Sequence, residues 1–159
     1  MKVVAKIMNQ EGINNFDEIL QAADAIMICR QHLGMELPPE KVFIAQKWMI
    51  ERANLAAKPV LCMDQIIESM VRHPKCTRSE ASDIANCILD GADALILKDE
   101  TAEGVFCPSA VQTVSKISVE AERCIDYKRT LNDLKMYTPA PVGTAEAVAS
   151  AAVSTVLDM

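Results

Sequence analysis

A chain of 159 residues has the length of one ordinary domain and can bury a substantial core. Half of its residues are hydrophobic and 24% are charged, a globular rather than a disordered composition. The formal net charge of −6 argues against a general nucleic-acid binder, and the absence of a long apolar run argues against a membrane-spanning helix.

The first apolar run, residues 3–7, predicts a strand that leads into Asn9-Gln10-Glu11-Gly12. A helix is expected from near Gly12, with Asn14 or Asn15 as its cap and Phe16, Ile19, Leu20 and Ala23 as its apolar stripe. Residues 25–29 are apolar throughout, as in a strand buried on both faces, and run into Arg30-Gln31-His32-Leu33-Gly34. Pro38-Pro39-Glu40 suits a first helical turn, and Val42, Ile44, Ala45, Trp48, Met49 and Arg52 carry that helix to about residue 57. Lys58-Pro59 ends it, because proline disfavours helix in the residue before it.

A third strand at 59–63 precedes Asp64-Gln65 and a short helix over 66–71. Thr77 with Glu80 makes a capping box for a helix that passes Ile84, Cys87, Ile88 and Leu89 and stops at Gly91. The fourth strand, 94–97, leads into Lys98-Asp99-Glu100-Thr101. The last long helix begins near Pro108 and passes Val111, Val114, Ile117, Ala121 and Ile125. Residues 127–145, with Pro139, Pro141 and Gly143, read as an exposed connection, and an Ala/Val-rich helix follows from Glu146.

Four strand–helix units imply an α/β fold with a parallel sheet and right-handed crossovers. A doubly wound sheet and part of a (β/α)8 barrel both fit. No glycine-rich phosphate-binding motif is present. Six cysteines, at 29, 62, 76, 87, 107 and 124, show no C-x-x-C spacing and read as reduced thiols in a cytoplasmic setting.

The strand ends carry a resemblance. Lys6-Ile7-Met8-Asn9-Gln10-Glu11-Gly12 resembles the K-I-E-N-x-E-G of pyruvate kinases, and Arg30-Gln31-His32-Leu33-Gly34-Met35-Glu36 resembles their R-G-D-L-G-x-E. Glu40-Lys41-Val42-Phe43-Ile44-Ala45-Gln46-Lys47, Lys58-Pro59-Val60-Leu61-Cys62, Thr77-Arg78-Ser79-Glu80, Asp90-Gly91-Ala92-Asp93 and Leu97-Lys98-Asp99-Glu100-Thr101-Ala102 follow the family's later motifs in one collinear order.

The resemblance implies a partial TIM (β/α)8 barrel of about four parallel strands over residues 1–126, a linker over 127–145, and the start of a truncated C-terminal α/β domain at 146–159. A complete barrel takes about 250 residues. The family's first barrel half, lid domain and most of its nucleotide site have no counterpart. The strands at 3–7 and 94–97 are expected as open edges.

The implied reaction is phosphoryl transfer between phosphoenolpyruvate and ADP, giving pyruvate and ATP in glycolysis, with Mg2+ and K+. Lys6 matches the family's barrel lysine and is the catalytic candidate. Gln31, His32 and Asp64 fall on substrate-binding positions with altered residue types. The two Mg2+-binding carboxylates match Met8 and His32, and neither suits a hard ion that demands oxygen ligands. No cofactor is therefore expected for this chain, and turnover is expected to be lost. The second reading is a non-catalytic protein associating with pyruvate kinase subunits. Phosphoenolpyruvate and ADP are the family's ligands; neither nucleic acid nor a membrane is an expected partner. His32 is expected to lack metal partners, with no second His or Cys at ligand spacing. Asp64 and Lys98 top neighbouring strands and are expected to form an ion pair in the former substrate site.

Overall fold

Strands β1 (Val4–Ile7), β2 (Ala25–Cys29), β3 (Val60–Met63) and β4 (Ala94–Ile96) run parallel, in the order β1-β2-β3-β4, in the computed structural model, which describes residues 1–138 and 140–157. Ile7 stands opposite Ile28, Ile28 opposite Cys62, and Cys62 opposite Leu95. A parallel ladder needs a crossover between strands, and here each crossover is helical. The sheet is open: β1 and β4 hold its edges, with Val3 and Val4 exposed beside β1. This is the α/β partial barrel expected from the sequence.

The first crossover holds α1 (Gln10–Asn14) and α2 (Phe16–Ala22). Asn15 stands at the N-cap of α2, the helix that carries Phe16, Ile19 and Leu20, as expected, but its side chain makes no capping bond, and a separate helix precedes it. Asn9 is extended, and its side chain accepts from the Gly12 N–H at 2.9 Å, which starts α1 earlier. Asn15 closes α1 and opens α2. The polar cluster after β2 forms a helix, α3 (Arg30–Glu36), anchored by buried Leu33. It has no apolar periodicity, so the sequence pattern does not reveal it.

Helix α4 (Pro39–Leu55) begins on a proline as expected and buries Met49, Ile50 and Ala53. Those side chains meet Ile26, Ile28, Val60 and Cys62 of the sheet in one core. Burying a side chain such as Ile28 or Ile50 stabilises by about 1.5–3 kcal/mol. Buried Phe16 packs on Trp48 at 5.1 Å between ring centroids, and the Arg52 guanidinium sits 5.8 Å from the Trp48 ring. Trp48 is a packing residue of this shell.

After β3 a single 3-10 turn, Glu68–Val71, leads to α5 (Arg78–Leu89). The capping box forms, with Thr77 and Glu80 exchanging bonds. Gly91 adopts φ +101°, the left-handed position that stops the helix, and a Cβ there would strike the Asn54 amide. Beyond β4 lie α6 (Asp99–Ala102) and α7 (Cys107–Glu122).

The chain divides into two compact units, Met1–Cys124 and Ile125–Met159. In the second, the stretch expected to be an irregular connection carries α8 (Tyr127–Tyr137). Asp126 caps it by accepting from the Arg129 N–H at 3.0 Å. Helix α9 (Thr144–Leu157) begins at Thr144, and Lys135 Nζ donates to Ser154 Oγ at 2.6 Å. The last two positions of the expected C-terminal segment lie outside the described residues.

Candidate functional site

Parallel strands point their carboxyl ends to one edge, so the polar residues that follow them share a rim. Lys6 is exposed on β1, and Met8, just past the end of the strand, is 40% exposed. Gln31 and His32 occupy the first turn of α3. Asp64 follows β3 directly, and Lys98 stands just ahead of α6.

The turn after β3 is built by a buried cation. Asp64 and Gln65 both take left-handed backbone angles, φ 69° and 53°. Aspartate tolerates that region better than most residues. Arg30 fixes the turn from the start of α3: Nε and Nη2 donate to the Asp64 carbonyl at 3.1 and 2.9 Å, and Nη2 donates to the Gln65 carbonyl at 2.7 Å. Its Nη1 pairs with Asp83 on α5. Buried Glu100 accepts from the Lys98 N–H at 2.8 Å and the Ile67 N–H at 3.3 Å, which ties the end of β4 to the neighbouring loop.

Within this frame the Asp64 carboxylate is buried, and neither oxygen accepts a hydrogen bond among the described residues. Lys98 Nζ lies 3.6 Å from Oδ1, and His32 Nδ1 lies 3.7 Å from Oδ2. The pairing of Asp64 with Lys98 expected from the sequence is present. Lys98 Nζ also donates to Gln31 Oε1 at 3.1 Å and approaches Asp99 at 3.6 Å. Desolvation pulls the Lys98 ammonium down, but the Asp99 and Asp64 carboxylates outweigh it and hold its pKa above the ordinary lysine value.

Cys29 ends β2 beneath this group, with its thiol 3.8 Å from the Met63 thioether. Burial pushes the Cys29 thiol pKa up and the Asp64 charge adds to it, while the Lys6 ammonium works the other way. The ligand atoms of Cys29, His32 and Asp64 all lie within 4.8 Å of one another. The expectation that His32 has no neighbouring ligand is therefore corrected. Cys29 precedes it by one helical turn across the strand–helix junction, and Asp64 comes from the adjacent strand. The readable signal was the Cys29-x-x-His32 spacing, which reading Cys29 as core filler hides.

The rim thus brings together Gln31, His32, Asp64 and Lys98 by direct contact, with Lys6 acting through its field on Cys29. The donors of the Cys29, His32 and Asp64 group are one sulfur, one nitrogen and one carboxylate, a soft and borderline set rather than an oxygen cage.

The family model for the pyruvate kinase barrel domain matches residues 1–111. A pyruvate kinase from Eimeria tenella is 53% identical over 155 residues, covering 98% of this chain and 29% of that protein. The crystal structure of a pyruvate kinase from Cryptosporidium parvum superposes with a TM-score of 0.96 at 45% identity, over 99% of this chain and 32% of that one. Cryptosporidium parvum pyruvate kinase in complex with ADP gives a TM-score of 0.93 at 45% identity, over 99% of this chain and 31% of that one. The chain spans about a third of the length of the relatives it matches. With the family model matched over residues 1–111, and with sequence and backbone in agreement over nearly its whole length, this chain belongs to the pyruvate kinase family.

Proposed function

We propose that this chain is the second half of a pyruvate kinase barrel whose substrate rim no longer supports turnover of phosphoenolpyruvate and ADP. The observation that carries this reading is the buried Asp64 carboxylate in the position of the family's substrate-binding threonine. A fixed negative charge there opposes the phosphate and carboxylate of phosphoenolpyruvate. At an effective dielectric of about 20, like charges about 4 Å apart repel by about 4 kcal/mol. Lys98, the nearest cation, is already engaged by Asp64, Asp99 and Gln31.

The family's Mg2+ does not fit these residues. Met8 offers a thioether and His32 an imidazole, whereas Mg2+ requires oxygen ligands in near-octahedral array. Lys6 retains its place on the rim and is the residue that would face an anionic substrate. Gln31 replaces a glycine, and its amide is tied to Lys98. Residues 1–126 are assigned to the barrel half, 127–145 to a linker that carries α8, and 146–159 to the start of a C-terminal domain. The ADP complex of the Cryptosporidium relative supports a nucleotide as the family's ligand. The six free cysteines support a reducing, cytoplasmic setting.

A coupled assay of phosphoenolpyruvate and ADP on the purified chain tests the reading. No turnover above the blank is expected, and measurable turnover overturns it. The second reading, a non-catalytic partner of intact pyruvate kinase subunits, draws on the open sheet edge at β1, where Val3 and Val4 are exposed. Co-elution with an intact pyruvate kinase in size-exclusion chromatography supports that reading, and separate elution removes it.

A further inference from the structure

We propose that Cys29, His32 and Asp64 form a binding site for a borderline divalent transition-metal ion of the zinc type. The inference stands on the geometry of the rim and requires no phosphoryl-transfer chemistry. Three side chains contribute one sulfur, one nitrogen and one oxygen, and all three donor atoms lie within 4.8 Å of one another. His32 Nδ1 and Asp64 Oδ2 are already 3.7 Å apart. A tetrahedral zinc site with bonds of about 2.0–2.3 Å separates its ligand atoms by about 3.5 Å. Closing the group around an ion thus brings the widest pair together by at most about 1.3 Å, shared between two side chains.

The Asp64 carboxylate is the independent sign of a missing ligand. Its side chain is 1% exposed, and neither oxygen accepts a hydrogen bond among the described residues. Its nearest basic groups, Lys98 Nζ at 3.6 Å and His32 Nδ1 at 3.7 Å, stay beyond hydrogen-bond reach, whereas a buried ion pair is ordinarily completed by hydrogen bonds to its free lone pairs. Arg30 fixes the backbone that carries Asp64, as supporting residues do around metal ligands. Cys29 adds weight, because its thiol lies 3.8 Å from a weak acceptor, the Met63 thioether, and beside the Asp64 carboxylate. Cys29 sits at the end of β2 and His32 on the next helical turn, so both arise from a rigid junction.

The donor set chooses the ion. A thiolate with an imidazole and a carboxylate suits Zn2+ or Co2+ and disfavours Mg2+ and Ca2+. The His32 side chain is 45% exposed, which leaves the fourth position open to water. Lys98 competes for Asp64 but is not committed to it. Its ammonium also has Gln31 Oε1 at 3.1 Å and Asp99 Oδ2 at 3.6 Å, both available when an ion takes the carboxylate.

The test is a Co2+ titration of the full chain carrying Cys76→Ser, Cys107→Ser and Cys124→Ser, which removes the less buried thiols from the background. One equivalent of Co2+ should bind with thiolate-to-cobalt charge-transfer absorption, and Zn2+ should displace it. Cys29→Ser should abolish the charge-transfer band. His32→Ala should weaken Co2+ binding by at least about 100-fold, more than the loss of a mere supporting partner. Failure of the parent to develop the band, a stoichiometry other than one, or a band that survives Cys29→Ser overturns the proposal. If circular dichroism shows Cys29→Ser unfolded, His32→Ala decides, since that half-exposed side chain is not part of the core. Unchanged Co2+ affinity in His32→Ala then overturns the site.

Discussion

Lys98 Nζ lies 3.6 Å from Asp64 Oδ1, close enough for attraction and too far for a hydrogen bond. The lysine keeps its head partly in water, while the aspartate is buried and accepts no hydrogen bond among the described residues. A partly exposed ion pair returns about 0–1 kcal/mol, and an unsatisfied buried polar group costs about 1–3 kcal/mol. The cost exceeds the gain, so this carboxylate weakens the fold.

Asp64→Asn should therefore raise stability, by about 1 kcal/mol, in urea unfolding of the metal-free chain. Asparagine tolerates the left-handed φ of 69° and carries no charge. Asp64→Thr should instead lower stability by about 1–2 kcal/mol, because a β-branched residue is strained there. A lower unfolding midpoint for Asp64→Asn than for the native chain would contradict the assignment of Asp64 as a destabilising group.

Arg30 holds the same turn from below. Its guanidinium is buried and donates three bonds to the Asp64 and Gln65 carbonyls. Lysine cannot reproduce that planar fork. Arg30→Lys should cost about 2–3 kcal/mol, the range for losing hydrogen bonds to a charged group and leaving a carbonyl unsatisfied. Equal stability of Arg30→Lys and native chain in urea unfolding would show that a single point charge suffices.

The parts of this fold legible in the sequence are those that burial dictates. Fully apolar 25–29 and the capping box at Thr77 and Glu80 each specify their element locally. Helix α3 was not legible, because Arg30 is buried as a polar support of the Asp64 turn while Gln31 and His32 face the rim, so they carry no apolar period. Helix α8 was hidden by the prolines and glycine that follow it, although Leu131 and Leu134 recur at helical spacing behind the Asp126 cap. At the rim, adjacency of strand ends foretold Lys98 against Asp64. The grouping of Cys29 with His32 and Asp64 depends on a strand–helix junction and a crossover together. The Cys29-x-x-His32 spacing is visible locally, but the arrival of Asp64 from the next strand end is not.

Glu80 gives a pH dependence whose sign is fixed. Burial pushes its carboxyl up, but the Ser69 hydroxyl and N–H and the Thr77 N–H and hydroxyl pull it down further, so it titrates below the ordinary 4.5. A folded-state pKa below the unfolded one gives stability that is complete above about pH 4.5 and is lost as pH falls below it. Glu80→Gln should flatten the stability profile between about pH 6 and about pH 3 relative to the native chain. Parallel profiles for the two proteins in urea unfolding would remove Glu80 from the account.

Ion selectivity at a site follows from donor hardness, and under the proposed function Met8 and His32 are the positions that would set it for Mg2+. Mg2+ keeps its water shell unless carboxylates replace part of it, and a thioether and an imidazole do not. The native chain should show no Mg2+ binding heat at millimolar concentrations. Met8→Glu with His32→Asp places two carboxylates at the family's metal positions while leaving Cys29, Arg30 and Asp64 in place. That double variant should bind Mg2+ with a measurable heat and lose at least about tenfold in Zn2+ affinity, since one imidazole ligand is gone. Because Met8 is 40% exposed and the His32 side chain 45% exposed, neither substitution empties the core, and the fold should survive both. Mg2+ binding by the native chain equal to that of the double variant would show that oxygen donors elsewhere hold the ion. Zn2+ affinity unchanged by the double variant would show that the imidazole takes no part.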